Sequence, residues 1–139
     1  MQTLPLRLTP GQDLRQALEA AVRSQNCQAA FVLSGIGSLS SAGLRFAGVE
    51  QAQRLAGDME ILSLAGTVAF DGERSSSHLH MALSTATGAV LGGHVAAGCM
   101  VRTTAEVLLA LLPEWAFARE RDAATGFDEL AVRGRSGPT

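Results

Sequence analysis

Leu4, Leu6 and Leu8 alternate with Pro5 and Arg7, a period of two that predicts a short strand with one buried face. Thr9, Pro10 and Gln12 then read as a capping box, with Thr9 as N-cap and Pro10 at the first helical position; Asp13 is the alternative cap for a later start. Leu14, Ala17, Leu18, Ala21 and Val22 recur at three- and four-residue intervals, while Arg15, Gln16, Glu19 and Arg23 fall on the other side, so this segment is the clearest helix in the chain. Ser24 to Gln28 ends it. Ala29 to Leu33 is a continuous apolar run of strand length, after which Ser34-Gly35-Ile36-Gly37-Ser38 reads as a break.

Gly43 to Phe46 and Met59 to Ala65 read as further strands, separated by a polar loop from about Glu50 to Asp58. In the second, strict alternation places Glu60 with Leu62 and Leu64. A carboxylate on an apolar face must be paired or functional, because a lone buried charge is expensive. Thr103 to Leu112 fits a helix or a strand equally well. Ala124-Thr125-Gly126 reads as a turn, and the Gly, Ser, Pro and Arg of residues 133–139 read as a disordered tail. No internal repeat and no second domain are visible.

The 139 residues are 47% hydrophobic and 17% charged, a balance that buries one globular core. No apolar run reaches the roughly 20 residues of a membrane-spanning helix, and Met1 to Pro10 lacks the layout of a signal peptide, so a cytoplasmic protein is expected. Cys27 and Cys99 read as buried thiols of a reducing compartment, Cys99 keeping a minor claim to the neighbourhood of His94. Eleven arginines, no lysine and a net charge of −2 offer no broad phosphate-binding face, which disfavours nucleic acid as a partner.

The chemistry gathers in one segment. In Ser76 to Ser84, Leu79, Met81 and Leu83 alternate against His78, His80, Ala82 and Ser84, which on a strand sends both imidazoles to one face. Thr85-Ala86-Thr87-Gly88-Ala89 reads as a hairpin turn with a three-residue loop and Gly88 at its left-handed position. Paired residue numbers then sum to 174, so His94 stands opposite His80 and His78 is its diagonal neighbour. A two-residue loop would make the sum 175 and send His94 to the other face. Under the first register, His78, His80 and His94, the only histidines, converge on one divalent ion per chain. Zinc is the expected ion by ligand type, with iron, nickel and copper open, and three protein ligands leave a further coordination position.

The segment Ser77-His78-Leu79-His80 with Gly88 to His94 resembles the histidine motif of prokaryotic PPC (plant- and prokaryote-conserved) domain proteins. Arg7 to Leu14, Leu33 to Ser38, Leu44 to Phe46, Met59 to Thr67, Thr104 to Val107, Phe117 with Arg119, and Gly126-Phe127 follow the same pattern in order, so the resemblance covers residues 4–132 as a single domain. It implies an α+β fold, a mainly antiparallel β-sheet with a few flanking helices, in which Thr104 to Leu111 is a strand. It also implies a homotrimer and a metal held by His78, His80 and His94. The family is commonly labelled DNA-binding because its plant members carry an AT-hook. This chain has none, and Arg133-Gly134-Arg135 lacks the proline of the hook's core.

Two functions follow as expectations. The first is a trimeric, metal-containing module of regulatory or interaction type. The second is a small metal-dependent enzyme in which Glu60 or Glu106 serves as general base. Arg45 and Glu60 are the polar residues expected beside the metal, either as its supports or as a structural ion pair. No Ser-His-Asp or Cys-His arrangement can be drawn, since the histidines are committed.

Overall fold

The computed structural model describes residues 1–135. Among them run β1 (Gln2–Leu8), α1 (Leu14–Ser24), β2 (Ala29–Arg45), β3 (Gln53–Phe70), β4 (Ser75–Thr85), β5 (Val90–Val95), β6 (Met100–Leu111), β7 (Trp115–Arg121) and β8 (Asp128–Gly134). The first six strands form one antiparallel sheet in the order β1-β6-β2-β3-β4-β5, and β7 and β8 form a separate hairpin. β5 also pairs with the end of β2, through Leu44↔Val95 and Arg45↔His94. β2, β3, β4 and β5 thus close into a ring, and no helix among the described residues is long and apolar enough to cross a membrane.

α1 packs against β3, β4 and β6. It presents Leu14, Leu18 and Val22, all fully buried, to the core; each contributes about 1.5–3 kcal/mol by leaving water. The sheet supplies Leu39, Leu44, Val68, Leu79, Leu83, Val101 and Leu109 to the same cluster. The helix is capped by Asp13, whose Oδ1 accepts from the Gln16 N–H, and not by Thr9. The Thr9 N–H does bind the Gln12 Oε1 at 2.8 Å, but in the turn ahead of the helix. Where a few flanking helices were expected, α1 is the one helix among the described residues.

Three further expectations are corrected. Ser34 to Ser38 does not break a strand: β2 runs through it for 17 residues. Its pairing with β6 shifts register at Val32/Ser34, Gly37/Leu39 and Leu39/Ser41, and these bulges absorb the irregular pattern. The loop proposed for Glu50 to Asp58 ends at Ala52, because Gln53, Arg54, Leu55 and Ala56 pair with β2. Glu60 does not share a buried face with Leu62 and Leu64. The β3–β4 pairing shifts between Ile61 and Ser63, which restarts the alternation, so Met59, Ile61 and Leu64 are buried while Glu60 faces solvent.

The tail is also shorter than composition suggested. Arg133 and Gly134 are the last residues of β8, paired with Ala116 and Trp115, and Arg133 bridges to Glu120. Residues 136–139 of the expected disordered tail lie outside the described residues. Thr104 to Leu111 is strand, as the resemblance implied. Cys27 and Cys99 are both buried free thiols.

Candidate metal centre

The β4–β5 hairpin has the sum-174 register: His80↔His94, Met81↔Gly93, Ala82↔Gly92, Leu83↔Leu91 and Ser84↔Val90. The turn sets it. The Thr85 N–H donates to the Ala89 carbonyl at 2.9 Å, the Gly88 N–H donates to the Thr85 carbonyl, and Gly88 has φ 80°, the left-handed conformation that glycine adopts without strain. Leu79, Met81 and Leu83 go into the core and His78 and His80 face outward, so burial of the apolar set fixes which way the imidazoles point.

β5 is squeezed between β4 and β2. A Cβ on Gly93 would lie 2.6 Å from the Arg45 carbonyl oxygen, and one on Gly92 would lie 2.5 Å from that of Met81. The two glycines let β5 seat against both neighbours, and that seating brings His94 to His80. Arg45, expected in the neighbourhood of the histidines, is the cross-strand partner of His94.

Three ring nitrogens meet. His78 Nε2 lies 3.1 Å from His80 Nε2 and 3.2 Å from His94 Nδ1, and the last two lie 3.0 Å apart. Three imidazole nitrogens aimed at one point cannot satisfy one another by hydrogen bonds, since at most one proton fits between them. A shared electrophile would resolve the contact. Nitrogens bound to one tetrahedral zinc at 2.0–2.1 Å stand about 3.3 Å apart, and the observed triangle is within a few tenths of an ångström of that spacing. The residues fit the ion the sequence suggested.

Charge and burial favour neutral, ligating imidazoles. His78 is held below the ordinary histidine pKa, first by burial, then by the Arg119 guanidinium and by the other two histidines, with Glu129 opposing. His94 is lowered by burial, then by Arg45 and His80.

Two clefts flank the triangle. One, of about 280 Å³, lies between His78, His80 and Thr67 on the sheet and Arg119, Glu129 and Leu130 on the β7–β8 hairpin. The other, of about 300 Å³, is bounded by Arg15, Arg45, Glu50, Ser77, His78 and His94. Below it, Ser77 Oγ donates to Glu19 Oε1 at 2.6 Å, and Arg15 Nε contacts both Ser77 Oγ at 3.0 Å and Glu19 Oε1 at 3.2 Å, tying the start of β4 to α1.

The two carboxylates proposed as bases are elsewhere within the chain. Glu60 stands opposite Ser84, four residues along β4 from His80. Glu106 is exposed opposite Arg7 and Ile36 on β6, with β2 and β3 between it and β4. Neither lines a cleft beside the histidines, and there is no Arg45–Glu60 ion pair among the described residues. Cys99 is not part of the group either: its thiol donates to the Gly43 carbonyl, and burial pushes its pKa up. The sequence reading missed Arg119, Thr67 and Glu129, which reach the site only through tertiary packing.

Comparison with known proteins sets this geometry in context. The Plants and Prokaryotes Conserved (PCC) domain matches residues 1–113. The chain is 47% identical, over 133 residues and 96% of its length, to a protein named bifunctional protein GlmU in a strain of Synechococcus, and equally identical over 132 residues to that of a second strain. It spans about a fifth of those relatives' length (20% and 21%). Among solved structures, a hypothetical protein from Salmonella cholerae-suis superposes with a TM-score of 0.90 at 40% identity, covering 97% of this chain and 95% of that one. A metal-containing protein from Archaeoglobus fulgidus gives 0.76 at 29% identity, covering 94% of each chain.

Proposed function

The chain belongs to the Plants and Prokaryotes Conserved domain family, and on that premise we propose that it is a homotrimeric metal-holding module of regulatory or interaction type, working in the cytoplasm. The observation that carries the reading is the triangle of His78 Nε2, His80 Nε2 and His94 Nδ1, each pair 3.0–3.2 Å apart. These residues would hold one divalent ion per chain, zinc by its preference for imidazole in a tetrahedral set. That a relative of 29% identity is described as metal-containing supports it.

Self-association is supported by the sheet. Leu33 and Ile36 on β2, Leu62 on β3 and Leu108 on β6 remain 37–54% exposed on three adjacent strands. Large exposed side chains grouped in this way mark an interface, and copies of the same chain would cover them. Light scattering is expected to return three times the chain mass, and Ile36→Asp with Leu62→Asp is expected to return one. A monomer mass for the unaltered protein at all concentrations contradicts the trimer.

The metal reading is tested by His80→Ala. His80 lies between the other two in the register and contacts both, so its loss is expected to reduce metal content more than loss of His78 or His94 alone, with melting showing that the fold persists. Equal metal content in the variant and the unaltered protein contradicts it.

A second reading, a small metal-dependent enzyme, is favoured by one observation: the clefts that open directly onto the histidines. When bound there, zinc would supply Lewis acidity. Within this chain, the carboxylate placed to handle a proton beside it is Glu129 or Glu50, and not Glu60 or Glu106.

A further inference from the structure

One wall of the 280 Å³ cleft is built by a part of the chain that the family match does not reach. The match ends at residue 113, whereas Arg119, Glu129 and Leu130 belong to the β7–β8 hairpin. That hairpin is a sheet of its own, held to the main sheet by Phe117, which is buried against Ala29 and Ala69 and meets Phe31 edge to face with ring centres 5.6 Å apart. Its placement puts a guanidinium beside the histidines.

Arg119 is underused as a structural group. A guanidinium carries five N–H donors. The structure records one bond for it, from Nη2 to Thr67 Oγ1 at 3.1 Å, and no carboxylate lies within 4.0 Å of it among the described residues. Four of the ten other arginines are ion-paired, Arg15 to Glu19, Arg102 to Asp58, Arg121 to Asp128 and Arg133 to Glu120; what sets Arg119 apart is that it is half-buried in a cleft against the histidines and tethered by Thr67. Glu129 lines the same cleft and still does not pair with Arg119. Thr67, itself buried, fixes one edge of the guanidinium and leaves the remaining donors for something that enters. A planar fork of donors beside three histidines that would hold a divalent cation suits an oxygen anion, which the fork grips and the cation would attract. The volume is at the small end of ligand pockets, which limits the guest to a few heavy atoms beyond the anionic group.

We infer that the cleft between the three histidines and the β7–β8 hairpin is a binding site for a small oxyanion, a carboxylate or a phosphate, which Arg119 grips while Thr67 holds Arg119 in place. This rests on the metal reading above for one of its two contacts. Glu129 tunes the site, because its charge opposes an anion and so favours guests that also present a hydrogen-bond donor.

Calorimetric titration of metal-loaded protein with inorganic phosphate and, separately, with succinate tests this, with metal content measured on every sample. The expected result is saturable binding of at least one of the two probes, weakened roughly tenfold to a hundredfold in Arg119→Ala, the range for a lost charge-assisted hydrogen bond. Arg119→Lys is expected to restore part of it, Glu129→Gln to tighten it, and metal content to stay the same in all three. The probe that binds more tightly identifies the class. Unchanged affinity in Arg119→Ala, or no binding of either probe to fully loaded protein, overturns the inference. Should the unaltered protein hold no metal and still bind an anion through Arg119, the metal reading falls and the anion site stands.

Discussion

Two hairpins meet at the histidine face, and they are built on different terms. β4–β5 is local: a five-residue turn sets its register, and alternation sends Leu79, Met81 and Leu83 inward and His78 and His80 outward. β7–β8 is tertiary: its place over the cleft depends on Phe117 filling a small cluster with Ala29 and Ala69, far away in sequence. The first hairpin carries the three converging ring nitrogens, and the second walls the cleft beside them and brings Arg119 to it. Stability and metal holding are therefore separable, and variants in the two hairpins should separate them.

The largest expected effect on stability is in the hairpin that does not ligate. Phe117→Ala removes a buried ring and is expected to cost about 3–5 kcal/mol, read by denaturant unfolding, while metal content per folded chain stays unchanged. Loss of metal in parallel with stability would show that the hairpins are not independent. Gly93→Val is expected to do the reverse. Its Cβ would meet the Arg45 carbonyl oxygen at 2.6 Å, so β5 must shift, at about 1–3 kcal/mol, and most of the metal should go with the displaced His94. Retention of the full metal content would break the link between the seating of β5 and the site.

A smaller effect follows from the lowered pKa values of His78 and His94. In metal-free protein both should titrate below 6.5, followed by NMR of the ring protons. Because the unfolded chain takes up these protons first, stability should be intact above about pH 6.5 and be lost progressively as pH falls from there through the folded-state values. Release of metal should occur in acid, since protons compete for the same nitrogens. Titration of both at or above 6.5 contradicts the electrostatic account. The smallest expected effect concerns duplex DNA near 150 mM salt: with no lysine and a net charge of −2, binding weaker than micromolar is expected, and Arg133→Gln with Arg135→Gln should hardly change it. Sub-micromolar binding would contradict this.

The same division explains what was legible in the sequence. The helix, β1 and the β4–β5 register could be read because each leaves an unbroken periodic pattern in neighbouring residues, even though β1 pairs with β6, about a hundred residues further on. Glu60 was misplaced because one bulge between Ile61 and Ser63 shifts every side chain beyond it, and nothing local marks that bulge. Ser34 to Ser38 looked like a break because its glycines and serines interrupt the apolar run, whereas pairing with β6 on one side and β3 on the other carries the strand through. Arg119 was named only as part of the sequence resemblance, without a role, and lies beyond the residues the family match covers. Its bond to Thr67 spans 52 residues, and no periodicity reports such a contact.

The central claim, that three nitrogens from one hairpin hold an ion, is tested most directly by elemental analysis of protein prepared without a metal-affinity tag and never exposed to chelator. One zinc, or one other divalent transition metal, per chain is predicted, falling toward zero in His80→Ala. Metal near zero in the unaltered protein, or a stoichiometric metal that survives replacement of His78, His80 and His94 together, would contradict it.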